Sequence, residues 1–81
     1  MTTKFECIEV HERAKSFFSV GNVYEVCDTM DFSLGFVKSD NYESIVIYRI
    51  MEKEKEHLFN AYFPEYMYGY DGDVMAIFKY A

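Results

Sequence analysis

The sequence predicts a mainly β, antiparallel domain of five or six short strands with at most a short helix. Three observations point there. Apolar residues recur with period two in several segments, and Gly, Asn and Asp turn signals separate those segments at short intervals. A fifth of the chain is aromatic, 8 Phe and 8 Tyr, the residue types that fit a pleated, half-buried surface. Such spacing suits a small, partly closed barrel or a strongly bent sheet, and closure would protect otherwise sticky edges. At 81 residues the chain makes one domain, residues 1–81, whose large aromatic side chains offset the poor surface-to-volume ratio of a short chain.

Residues 4–10 (KFECIEV) place Phe5 and Cys7 on one face and Ile8 and Val10 on the other, a first strand with a phase change near Cys7. Residues 11–16 (HERAKS) are polar and read as a loop or a single helical turn. In residues 17–28 (FFSVGNVYEVCD) a Gly21-Asn22 turn signal precedes Val23, Tyr24, Val26 and Cys27, the second strand. Residues 32–38 (FSLGFVK) alternate Phe32, Leu34 and Phe36 against Ser33, Gly35 and Val37, with the glycine permitting a bulge or close backbone packing. After the turn-rich residues 39–42, residues 44–51 (SIVIYRIM) are apolar almost throughout, as in a central strand covered on both faces. Residues 52–56 (EKEKE) are a solvated charge run, and residues 57–63 (HLFNAYF) fit either a short helix ended by Pro64 or another strand. Residues 66–70 (YMYGY) and 73–80 (DVMAIFKY) flank Asp71-Gly72 and read as a final hairpin with a type I′ turn.

Composition narrows the function. With 8 basic and 14 acidic residues the formal charge is −6, which repels a phosphate backbone and disfavours direct nucleic-acid binding while favouring a basic partner surface. Cys7 and Cys27 read as small buried apolar side chains, and no apolar run approaches a membrane span. The opening Met1-Thr2-Thr3-Lys4 has no signal-type apolar region, so a reducing cytoplasm is expected.

Cys7-Ile8, followed by Phe18-Ser19-Val20-Gly21-Asn22-Val23-Tyr24-Glu25-Val26, resembles the opening of short hypothetical proteins of bacteriophages and prophages, with the pattern hydrophobic-x-V-G-x-V-Y-x-V. The resemblance spans roughly the N-terminal third; past Asp28 the chain departs from it, with a longer middle hairpin and a Tyr-rich end. It implies a partly open SH3-like β-barrel and a small acidic accessory protein aimed at a host protein, and it carries over no functional residue.

The chemistry-bearing residues are few. His11 and His57 each stand beside a glutamate, Glu12 and Glu56, in charged stretches and read as surface imidazoles. There is no Ser-His-Asp signature, no CxxC and no glycine-rich phosphate cradle, and Asp71-Gly72-Asp73 lacks the further oxygens of a calcium loop. Neither an enzyme nor a metal or other cofactor is expected.

What remains is an aromatic and acidic C-terminal region. Tyr62, Glu65, Tyr66, Tyr68, Tyr70, Asp71 and Asp73, with Phe63 and Tyr80 nearby, have the composition of a hot-spot patch facing a basic partner. The simpler reading packs alternate aromatics inward and leaves the rest on a sheet face. The expected function is a small acidic phage-type interaction protein that binds a host protein and inhibits or redirects it, with an anti-defence role and a DNA-mimicking acidic surface among its forms. The alternative is a self-assembling β module, a homodimer or larger homo-oligomer.

Overall fold

Side-chain alternation and turn chemistry produce six strands: β1 Thr3–Val10, β2 Val23–Asp31, β3 Leu34–Lys38, β4 Ser44–Arg49, β5 Leu58–Tyr62 and β6 Val74–Tyr80. A single 3₁₀ turn, Glu12–Ala14, stands between β1 and β2. The computed structural model describes residues 3–31, 34–55, 57–64, 66–67, 69–70 and 72–81. Each strand pairs antiparallel with the next in the chain, and β1 also pairs β6, so the sheet closes on itself as a barrel. The expected mainly β antiparallel barrel, with at most a short helix, is therefore present, and in place of the expected partly open ring or bent sheet the ring is complete.

Closing so few strands demands strong curvature, which the bulges supply. The β1–β6 register shifts between Cys7 and Glu9, where the first strand changes phase in sequence. The β2–β3 register shifts twice, between Val26 and Thr29 and between Thr29 and Asp31, with the extra residues on β2 opposite Gly35 and its neighbours.

The interior of a narrow barrel has to be filled by side chains of matched size. Phe5, Cys7, Tyr24, Val26, Val37, Ile45, Ile47, Phe59, Ala61, Ala76 and Phe78 all point inward and are buried. The small Cys7, Gly35, Ala61 and Ala76 leave room for the rings. One mouth is plugged by the β1–β2 connection: Ala14, Phe17 and Phe18 are buried, and the Phe18 ring meets Tyr24 and Phe78 edge-on at 5.1 and 5.0 Å. His11 starts this plug, its Nδ1 accepting the Arg13 N–H at 3.0 Å, as an N-cap should.

The second strand begins after the Gly21-Asn22 turn, as the turn signal predicts, and Phe17 and Phe18 before it belong to the plug. Some expectations change. Residues 44–51 are not covered on both faces: β4 ends at Arg49, and Ile45 and Ile47 are buried while Ser44 and Tyr48 are exposed. A closed barrel has one inside, so the near-continuous apolar run still alternates. Residues 57–63 resolve as a strand, β5.

The hairpin expected over residues 66–80 does not form; β6 pairs β5, with Tyr62 opposite Val74. Between β5 and β6 the described residues bond locally, from Met67 N–H to Pro64 O, Tyr70 N–H to Met67 O and Asp73 N–H to Tyr70 O, and Asp71 of the expected turn lies outside the described residues. The cause is burial. Phe63 and Tyr70 gain more by packing on the barrel, their rings 4.9 Å apart, than by extending a two-stranded ribbon into water.

Candidate functional site

The alternation that turns Ile45 and Ile47 inward turns Val46 and Tyr48 outward, and on β5 it buries Phe59 and Ala61 while exposing Tyr62. The register pairs Ile47 with Ala61 and Tyr48 with Asn60, which brings Tyr48 and Tyr62 together on the outer face, ring centroids 5.8 Å apart and tilted 59°. Beyond Tyr62 the chain buries Phe63, and the turn from Pro64 to Met67 carries Tyr66 back over the start of β4. There its hydroxyl donates to the Glu43 carboxylate, 2.6 Å from Oε1 and 2.7 Å from Oε2. That bond raises the Tyr66 phenol above its ordinary pKa, because deprotonation would place two anionic oxygens together.

The result is a groove of about 300 Å³ lined by Glu43, Val46, Tyr48, Tyr62, Pro64 and Tyr66. Its aromatic wall is open to solvent, with Tyr48 47%, Tyr62 38% and Tyr66 57% exposed. Its carboxylate is held by a braced loop. Glu43 exchanges backbone bonds with Ser39, whose N–H donates to Glu43 O at 2.8 Å and whose Oγ accepts the Glu43 N–H at 3.0 Å. Tyr42, beside it, takes the left-handed conformation at φ 64°. Asp40 ties the same loop to the plug: it accepts from Tyr24 Oη at 3.1 Å and Ser19 Oγ at 3.3 Å, and its N–H donates to Phe17 O at 2.7 Å.

Of the residues singled out in sequence, Tyr62 and Tyr66 line this groove. Tyr70 turns away, half-buried against Phe63 and His11, and Asp73 is exposed at the entrance to β6. Glu65, Tyr68 and Asp71 lie outside the described residues. Tyr80 sits at the opposite mouth, stacked on Phe5 at 5.0 Å and accepting a hydrogen bond from Arg49 Nη2 at 3.0 Å. The C-terminal aromatics therefore serve three separate places. Sequence reasoning misses Glu43, Val46 and Tyr48; the parity of β4 marks the last two, since Tyr48 stands out of phase with Ile45 and Ile47.

Other reactive side chains are engaged in the fold. Cys7 is fully buried, its thiol pushed up in pKa chiefly by desolvation, and its Sγ donates to Glu9 O at 3.5 Å. The His11 ring packs edge-on to Phe63 at 5.1 Å. Among the described residues no group of three or more His, Cys, Asp or Glu is placed to hold a metal ion, and no helix is long and apolar enough to cross a membrane. On the β1–β2–β6 wall the charges alternate: Lys4 faces Glu25, and Lys79 faces Glu6.

Fold and groove together define a class, a small closed six-stranded antiparallel β-barrel with an aromatic outer face. Comparison with protein-family models, curated proteins and solved structures finds no significant match in any of the three.

Proposed function

We propose that the chain is a non-enzymatic protein-binding module that docks a partner protein on the groove between β4, β5 and the Pro64–Tyr66 turn. The observation that carries this reading is three solvent-exposed tyrosines gathered around one groove beside a carboxylate. Tyrosine is enriched in interface cores, where its ring supplies apolar area and its hydroxyl a hydrogen bond, and a few such anchors dominate binding energy. The formal charge of −6 favours a basic partner and would speed encounter with it. The phage-like opening residues suggest the setting, a host protein that is bound and inhibited or redirected. Alternating charge on the β1–β2–β6 wall favours docking at the groove over mimicry of DNA by an acidic stripe. Barrel closure, which leaves no unpaired sheet edge among the described strands, disfavours self-assembly by strand addition.

The test is capture from a bacterial lysate by the tagged protein and by its Tyr48→Ser/Tyr62→Ser variant, at low and moderate salt. The proposal expects one protein in near-stoichiometric yield, held more weakly at higher salt and released by the variant, which keeps the wild-type circular dichroism. A partner retained by the variant overturns it, as does an empty capture beside a concentration-dependent oligomer.

A further inference from the structure

Among the described residues the groove carries one charge beside its tyrosines, Glu43, and we propose that its occupant is an arginine side chain presented by the partner, with its guanidinium against the tyrosine rings and its N–H groups on Glu43. This deepens the docking reading above and rests on it. Glu43 has the capacity. A carboxylate offers about four lone-pair sites, and the single Tyr66 hydroxyl proton occupies one. Nor is its charge matched by a cation: the one ion pair among the described residues joins Lys55 and Glu52, at 3.8 Å. Lys38, which stands across from Ser44 in the β3–β4 register, is exposed and forms no ion pair with Glu43.

The rings suit a flat cation. Tyr48 and Tyr62 are tilted at 59° rather than stacked face to face, and both remain open to solvent. A volume of about 300 Å³ is at the low end for ligand pockets, enough for a side chain and too little for a large cofactor. Arginine fits better than lysine because its planar guanidinium stacks on aromatic faces and forks onto a carboxylate, whereas an ammonium is a strongly hydrated point charge. The barrel already seats one guanidinium against an aromatic ring within its own chain, with a phenol oxygen rather than a carboxylate as the acceptor. At the opposite mouth the Arg49 guanidinium lies 5.5 Å from the Phe59 ring centroid while Nη2 donates to Tyr80 Oη.

The experiment titrates the full-length chain with N-acetyl-arginine amide, following the aromatic carbon–proton NMR signals, with N-acetyl-citrulline amide and N-acetyl-lysine amide as comparators. Citrulline keeps the shape and loses the charge. The expected result is a saturable shift confined to Tyr48, Tyr62 and Tyr66, about tenfold weaker for citrulline, a ratio worth about 1.4 kcal/mol. Lysine should bind more weakly than arginine, and Glu43→Gln, which keeps an acceptor for Tyr66, should bring arginine down to the citrulline level. Equal binding of arginine and citrulline, equal binding of arginine and lysine, or shifts centred elsewhere overturn the inference. The two readings fail separately. A partner released by Tyr48→Ser/Tyr62→Ser while the arginine probe leaves those tyrosines unmoved sinks the arginine assignment and keeps the docking face. Arginine binding beside a partner that the variant still holds sinks the docking face instead.

Discussion

Replacing Phe18 by alanine tests whether the β1–β2 connection is a structural plug. Phe18 has no solvent exposure and makes edge-on contacts with Tyr24 and Phe78. Burying a phenylalanine removes about 150 to 250 Å² from water, which at roughly 25 cal/mol per Å² is about 4 to 6 kcal/mol. Measured Phe-to-Ala costs in cores run about 3 to 5 kcal/mol, so the two routes meet near 4. A domain of 81 residues has about 4 to 12 kcal/mol of total stability, and the loss is therefore a third of it or more. Urea unfolding followed by tyrosine fluorescence should show a much lower midpoint with little change in slope, and thermal melting a drop of at least about 12 °C. Val20→Ala is the control; Val20 lies in the same connection but is 59% exposed, and its loss should stay within about 0.5 kcal/mol. A cost for Phe18→Ala below about 1.5 kcal/mol at unchanged slope would refute the plug.

Tyr24→Phe removes the hydroxyl that accepts the Ser19 N–H at 2.9 Å and donates to Asp40, and should cost about 1 to 2 kcal/mol in urea midpoint measurements. Burial, with Asp40 beside it, raises the Tyr24 pKa above its unfolded value of about 10, so its share of stability is complete below that pH and is lost as pH climbs through the folded value. Wild-type stability should therefore fall more steeply than that of Tyr24→Phe above about pH 10, and parallel curves would contradict this. Gly21, at φ +91° with no atom within 4 Å of where a Cβ would stand, should lose about 1 kcal/mol as Gly21→Ala for conformational reasons alone, while Gly21→Asn should lose less. In a Cys27→Ser background the buried Cys7 thiol should react with a disulfide reagent only as fast as the barrel opens, so labelling that is insensitive to the Phe18→Ala destabilisation would show that it is accessible in the native state.

Much of the fold was legible locally. Period-two alternation located strands wherever one face meets the core, and the phase slip at Cys7 is visible in sequence because the bulge before Glu9 lets Val10 pack on the same core as Phe5 and Cys7. The segments that misled are those whose fate depends on distant partners. Phe17 and Phe18 follow a polar turn and carry no local sign of their role, because they cap a mouth that exists only after β6 has closed on β1. Asp71-Gly72 carries a hairpin signature, but the arm before it ends in Tyr70, and burying that ring with Phe63 on the barrel outweighs a local turn preference worth far less than their apolar area.

The site was half legible, for a related reason. Composition drew attention to the richest tyrosine cluster, while position on the barrel wall depends on register. Tyr62 and Tyr66 reach the groove because β5 ends facing outward and Pro64 turns the chain back; Tyr70, only four residues on, is half-buried with Phe63 and His11. Tyr48, almost alone in an aliphatic run, is the residue that composition hides and parity reveals. Its exposure follows from the burial of Ile45 and Ile47, and its pairing with Tyr62 from the opposition of Ile47 and Ala61. In a barrel this small the choice of core residues thus also dictates which aromatics meet water, and the groove beside Glu43 is the outer imprint of that choice.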